Sequence, residues 1–537
     1  MNTKKSGMKN LDVLIVGAGF AGMYILHKLI KLNLNVLVLE KASDVGGTWY
    51  WNRYPGARCD IESLEYSYSF SEDLQQEWNW SHRYSDQSEI LEYANHVAEK
   101  FDLKKNIEFN TEVKSATYEK TSKNWKIITT SGQEYISNFC VMATGTLSSI
   151  KEPDFKGLDK FKGDFYVTGR WPHEEVDFTN KKVGIIGTGS SGVQSIPVIA
   201  KKADHLTVFQ RSPNYSIPAK NRPLTKKEIL DTKLNYSEIR EKARYTRAGI
   251  AYNQFEEQKI LDLSSEVINK EFDKRWEIGG QEIFTAGFTD VGIDQKANGK
   301  AADFVKAKIK EIVKDKDTAE LLSPKDAIGC KRLCADSNYF ETYNRSNVDL
   351  IDINSNPIES ITEKGLATSE EEFSFDIIIF ATGFDAMTGA LLSIDISGKN
   401  NVKLSEKWKE GPKSYLGLSI HGFPNFFTVT GPGSPSVLTN MMVAIEQHVE
   451  WIYDCIKYLY DINKKEIEAD LKAEINWMKH VEDVAGDTLR DTCNSWYVGA
   501  NVPGKKRVFM PYVGGFGKYR KKCDEIAEKK YLGFSIC

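Results

Sequence analysis

Two apolar runs, LDVLIV at residues 11–16 and KKVGII at 181–186, each lead into glycines spaced G-x-G-x-x-G. The first triplet is Gly17, Gly19 and Gly22, and the second is Gly187, Gly189 and Gly192. Short runs rich in β-branched residues suit buried parallel strands. Glycine permits the tight turn that follows and lets the backbone approach a pyrophosphate, which the N-terminus of the next helix stabilises. Apolar residues at helical spacing over 23–32 predict that helix in the first unit, and an amphipathic stretch follows the second triplet. Ser190 and Ser191 stand at the start of that second stretch, where their hydroxyls reach a dinucleotide.

The two units differ where the next strand ends. NVLVLE closes on Glu40, an acid placed to accept hydrogen bonds from ribose hydroxyls. HLTVFQ is followed by Arg211 and Ser212, so a cation and a hydroxyl occupy the corresponding place. A guanidinium there favours a ribose 2′-phosphate, hence NADP(H) over NAD(H). Two more strands, CVMATGT (140–146) and IIIFATGF (377–384), end in Ala-Thr-Gly, one for each unit. The pairing implies FAD in the first site and NADP(H) in the second, an arrangement for passing a hydride to a flavin.

The predicted fold is α/β, with two Rossmann-like dinucleotide-binding domains and a helical insertion. Residues 1–148 and 384–537 are expected to form the FAD-binding domain, and 149–217 and 328–383 the NADP-binding domain. The stretch 218–327, Lys/Glu-rich with helical apolar spacing, reads as the insertion. A further helix is expected around 444–461, with a loop-rich end.

Lys and Arg number 71 against 75 Asp and Glu, which leaves no electrostatic footprint for nucleic acid or an anionic membrane. No apolar run approaches the roughly 18–20 residues that span a bilayer. A cytoplasmic location is expected, with a monomeric or weakly oligomeric state. The eight cysteines include no C-x-x-C pair, so they are expected to be reduced thiols with no metal bound.

GGTWYWNRYPGARCD, residues 46–60, fits G-x-W-x4-Y-P-G-x3-D at every fixed position. FKGDFYVTGRWP, residues 161–172, fits F-x-G-x3-H-x3-W-P except that Val167 stands at the histidine position. His173 lies beyond Pro172, whose ring constrains the backbone, and is not expected to replace it. With these motifs the chain resembles the Baeyer–Villiger monooxygenases from about residue 11 to 535, the phenylacetone monooxygenase branch more than the cyclohexanone one. The resemblance implies an NADPH- and O2-dependent enzyme that converts ketones to esters or lactones through a C4a-peroxyflavin, with sulfoxidation as a side activity. It makes 161–172 the linker between the domains, where Val167 is expected to alter domain coupling rather than abolish chemistry.

The same resemblance assigns residues. Arg332, in GCKRLCADSNYFETYNR, holds the anionic peroxide, and Asp60 orients it. Gly47, Thr48, Trp49, Asp60, Tyr66 and Met441 join the first glycine turn and Glu40 at FAD. Lys331 joins Arg211 at the 2′-phosphate, and Arg332 and Trp496 also touch NADP(H). Ser436, Val437, Leu438 and Met441, in GPGSPSVLTNMM, shape the ketone pocket. Two enzyme alternatives share the cofactors: an NADPH oxidase and an N- or S-oxygenating flavin monooxygenase, both suggested by Val167. A non-catalytic flavin-binding redox sensor is a third. A disulfide reductase needs a redox cysteine pair at the flavin, and Cys59 has no such neighbour in sequence.

Overall fold

The computed structural model describes residues 9–251, 258–280 and 287–537. The N-terminal basic segment and two pieces of the expected insertion lie outside the described residues. Among the described residues, no helix is long and apolar enough to cross a membrane.

The two largest sheets among the described residues are each built around one glycine turn. The first is eight-stranded, running from Asp395–Ser397 through Val113–Glu119, Asn124–Thr129, Glu134–Met142, Lys9–Val16 and Val36–Leu39 to Ile107–Glu108, with Phe426–Thr428 also paired to Glu134–Met142. Its centre is parallel, with Val13–Val16 in register against Val36–Leu39 on one side and Phe139–Met142 on the other. Val13, Leu14 and Ile15 have no exposed surface, as strands covered on both faces require. The second sheet holds five parallel strands in the order Val348–Asp352, His205–Gln210, Lys182–Ile186, Ile377–Phe380 and Asp164–Val167.

The stretch expected to be a linker therefore contains a strand. Asp164–Val167 is the edge of the second sheet, with Val167 opposite Phe380. Val167 is buried in an apolar cluster with Ile186, Phe209 and Phe380, an environment that suits a β-branched apolar side chain and not an imidazole. Between the sheets, two short segments run side by side: Lys151 N–H donates to Gly383 O at 3.1 Å, and Asp385 N–H donates to Ser149 O at 2.9 Å.

Helices Lys226–Ala243, Ser265–Ile278, Gln295–Ile312 and Lys316–Leu321 fall within the Lys/Glu-rich stretch. The last third is more helical than its sequence suggested. Met441–Asp461 is joined by Leu471–Gly486 and Phe516–Glu528. Phe516, Tyr519, Cys523 and Ile526 lie on one buried face at helical spacing, and Trp451 Nε1 donates to Cys523 O at 3.1 Å. The many charged residues of that helix mask a four-residue apolar stripe that only packing reveals.

Candidate functional site

Both glycine turns have the same construction. Gly17 and Gly187 adopt φ of +102° and +114°, a region open to glycine. A Cβ on Gly17 would lie 2.6 Å from Ala143 O, and one on Gly187 would lie 2.4 Å from Ala381 O. Each Ala-Thr-Gly strand end thus closes on its own unit's turn. Gly22 and Gly192 let the helix start pack on that turn, since a Cβ would lie 1.8 Å and 2.2 Å from the carbonyl oxygens of Gly17 and Gly187.

The helices Phe20–Leu29 and Ser190–Ala200 begin at Gly19 and Gly189, with no side chain capping either N-terminus and no acid in the first turn. Several helices elsewhere are capped by a side chain, among them those that begin at Asp86, Thr225 and Asp294, although Phe516–Glu528 is also uncapped. The glycine-turn helices therefore present backbone N–H groups and positive dipole ends, which fits a dinucleotide pyrophosphate in each unit.

Glu40 is buried, and its carboxylate accepts from Ala18 N at 2.6 Å and Ala42 N at 2.7 Å. Burial raises its pKa, against the lowering effect of those hydrogen bonds. The bonds tie the strand end to the glycine turn, and each oxygen retains a second acceptor lone pair for a ribose hydroxyl. Arg211 and Ser212 are exposed beside the second turn, where Thr188 Oγ1 donates to Ser212 O at 3.0 Å.

The segment 46–60 runs across both units. Gly47 packs on Gly19, where a Cβ would come 2.9 Å from the Gly19 Cα. Thr48 begins a helical turn, and Trp49 Nε1 donates to Tyr66 OH at 3.1 Å. Gly56, at φ +80°, lies against the second unit's helix, where a Cβ would meet Gln194 O at 2.4 Å. Tyr54 OH donates to Gln194 Oε1 at 2.9 Å, and Gln194 Nε2 donates to Arg58 O at 3.1 Å.

The segment delivers Asp60 to Arg332 across 272 residues of sequence. Arg332 Nε and Nη2 donate to the two carboxylate oxygens at 2.7 and 2.9 Å, a bidentate pair. Nη1 donates to Val437 O at 2.6 Å. The guanidinium is thereby held between the first unit's signature and the 431–442 loop. Arg332 leads into the short strand Cys334–Asp336, paired with Ser216–Pro218. Asn214 Nδ2 donates to Arg332 O at 3.2 Å. Ser190 Oγ lies 3.5 Å from Cys334 Sγ, and Thr168 Oγ1 donates to Ser191 Oγ at 3.3 Å.

Val437 packs in one apolar cluster with Met387, Tyr497 and Phe509, and Leu438, Met441 and Trp496 lie against it. Ser436 differs from the other three loop residues proposed for the pocket. It is fully buried, and its hydroxyl donates to Thr430 O at 2.9 Å, so it shapes the loop from within.

A family description, pyridine nucleotide-disulphide oxidoreductase, matches residues 14–290. A curated relative from Pseudooceanicola batsensis, named Baeyer-Villiger monooxygenase, is 43% identical across 99% of this chain and 97% of its own. The chain belongs to the Baeyer–Villiger monooxygenases. A second member, cyclohexanone 1,2-monooxygenase of an Acinetobacter species, is 41% identical across 98% of this chain and 97% of its own. Among solved structures, an oxidised steroid monooxygenase bound to NADP is 48% identical, covers 98% of this chain and 99% of its own, and superposes with a TM-score of 0.94.

In this member of the Baeyer–Villiger family, several contacts were not visible in the sequence. Lys331 Nζ pairs with Asp326 at 2.6 Å. Lys151, part-buried, has its pKa lowered by burial and then by the charge of Arg211. Nothing in its local sequence marks Lys151, because its place depends on the two crossing segments. His173 meets the FAD-side signature, its ring 5.1 Å from that of Tyr50. The expectation of reduced cysteines is overturned for one pair: Cys330 and Cys493 form a disulfide across a separation of 163 residues. The spacing of Cys330 and Cys334 could not reveal it, since the partner comes from a distant loop.

Proposed function

We propose that this chain is an FAD-containing, NADPH- and O2-dependent Baeyer–Villiger monooxygenase that converts ketones to esters or lactones. The single observation that carries the reading is Arg332, a permanent cation held bidentate by Asp60 and set beside an apolar cluster by Val437 O. Bound FAD supplies the chemistry of accepting a hydride from NADPH and activating dioxygen.

The chain's residues supply binding and electrostatics. The first glycine turn, Glu40, Gly47, Thr48, Trp49, Asp60, Tyr66 and Met441 hold FAD. The second turn, Ser190, Ser191, Arg211, Ser212, Lys331, Arg332 and Trp496 hold NADP(H), with Lys151 adding charge at the 2′-phosphate. Arg332 stabilises negative charge as it develops on oxygen, and its fixed orientation means that little reorganisation is needed at the moment of reaction. Val437, Leu438 and Met441 exclude water and orient the ketone. Residues 1–148 with 384–537 form the FAD domain and 149–217 with 328–383 the NADP domain, the paired crossing at 149–151 and 383–385 being their border. We also propose a cytoplasmic location.

The test is a product assay with linear, cyclic and aryl ketones, with hydrogen peroxide measured in parallel. Esters or lactones formed in step with NADPH consumption are expected. Peroxide alone, with every ketone recovered, would replace this reading with an NADPH oxidase.

A further inference from the structure

The Cys330–Cys493 disulfide, its residues 1% and 8% exposed, joins two parts of the proposed NADP site. Cys330 immediately precedes Lys331 and Arg332, and Cys493 lies three residues before Trp496. Their Cα atoms are 6.1 Å apart, within the usual span of a bridge. Cys59, Cys140, Cys334, Cys455, Cys523 and Cys537 are free.

The Cys330 side is anchored. Asn298 Oδ1 accepts from Ile328 N at 3.0 Å, and its Nδ2 donates to Ile328 O at 2.9 Å and to Val291 O at 2.8 Å. On the other side, Ser495 N–H donates to Cys493 O at 2.9 Å, and Ser495 O accepts from Val498 N and Ala500 N at 3.2 and 3.1 Å. The turn bearing Trp496 is thus built directly on Cys493. Further along, Asn501 Nδ2 donates to Phe384 O at 2.7 Å, and Lys151 Nζ donates to Asn501 O at 3.1 Å. Those contacts tie the segment to the crossing between the sheets. The disulfide ties it to the Arg332 segment.

We propose that Cys330 and Cys493 are a redox-modification pair, with hydrogen peroxide as oxidant and a dithiol as reductant, that latches the Trp496 turn onto the Lys331–Arg332 segment. One thiolate sulfur attacks peroxide; an S–O bond forms, the O–O bond breaks, and hydroxide leaves and is protonated to water. The second thiolate attacks the resulting sulfenic sulfur, the S–S bond forms, and the oxygen leaves as a second water. Two thiols lose two electrons, and one peroxide becomes two waters. A dithiol reverses the step by exchange and leaves as its own disulfide. In a reducing compartment such a bridge is transient, as a switch requires. The latched form holds the groups on both sides of NADP(H) together and slows its exchange; the reduced form lets the turn move. The consequence for turnover rests on the assignment of Lys331, Arg332 and Trp496 to that site.

The holoenzyme is treated with dithiothreitol or with hydrogen peroxide, alkylated, and mapped by peptide mass. A linked Cys330–Cys493 peptide is expected after peroxide and not after dithiothreitol. The oxidised enzyme is expected to release NADP+ about tenfold more slowly and to show a correspondingly lower kcat, both restored by dithiothreitol, whereas Cys493→Ser responds to neither reagent. Absence of the linked peptide overturns the proposal, as do equal NADP+ release in both states or a Cys493→Ser variant that responds as the wild type does. Stoichiometric zinc in the untreated enzyme also overturns it, because Asp326 and the two sulfurs lie within 4.8 Å of one another and would then be ligands. If Arg211→Ala and Lys331→Ala bind NADP+ unchanged, the site assignment fails instead, a result separate from the peptide map.

Discussion

The two glycine-turn units share a backbone and differ in one side chain's surroundings. Gly17 and Gly187 take the same left-handed conformation, Gly22 and Gly192 make the same close approach, and Ala143 and Ala381 close the two turns alike. After the next strand, the first unit places Glu40, buried and bonded to the turn, and the second places Arg211, exposed. On the proposed assignment, pyrophosphate binding comes from glycine geometry and helix N–H groups in both units, and the choice of nucleotide from the side chains that follow the next strand.

The largest expected effect concerns the residue pair that belongs to both units. Arg332→Ala should keep flavin and NADPH oxidation but lower ester formation by about 10³-fold or more, the scale of losing an oriented charge at developing negative charge. Full product from this variant, measured by gas chromatography, would remove Arg332 from the chemistry.

The next pair of variants breaks the comparison directly. Gly22→Ala should lose bound flavin, read from the visible absorbance of the purified protein, because its methyl would collide with Gly17 O. Gly192→Ala should retain flavin and raise the NADPH KM by about a hundredfold, equivalent to about 2.8 kcal/mol, the upper range for an overpacked contact. If either variant loses both cofactors, the units do not act independently.

Arg211→Ala sharpens the difference between them. The NADPH KM should rise about tenfold, the effect of one charge-assisted contact, with little change for NADH. An equal change for both nucleotides would refute the 2′-phosphate assignment.

The smallest effect is expected at the edge of the second sheet. Val167→His places a polar ring in the apolar cluster of Ile186, Phe209 and Phe380 and should lower stability by about 1 kcal/mol in urea titrations. Unchanged stability would show that the side chain turns out of the cluster.

Much of this architecture was legible because it is local. Strand, glycine turn and helix follow one another within about thirty residues, and their periodicities are written in apolar spacing. The position of Glu40 after one turn and Arg211 after the other was equally legible. The motif at 46–60 announced Asp60, and the resemblance supplied its pairing with Arg332. Val167 illustrates the limit: as a deviation from a motif it suggested altered domain coupling, and the sheet adds a packing role against Phe380 that the motif did not show. The apolar stripe of Phe516–Glu528 was hidden by its charges.

By itself the sequence determined two dinucleotide units, their order, and the charge that distinguishes them, because each depends on contacts between near neighbours. Only the tertiary structure decided that Val437 O shares Arg332 with Asp60, that the charge of Arg211 reaches Lys151, and that Cys330 meets Cys493 rather than Cys334. Those partners lie 60 to 163 residues apart, or about a hundred in the case of Val437. Their meeting depends on how sheets, crossings and loops close on one another, which short-range spacing does not encode.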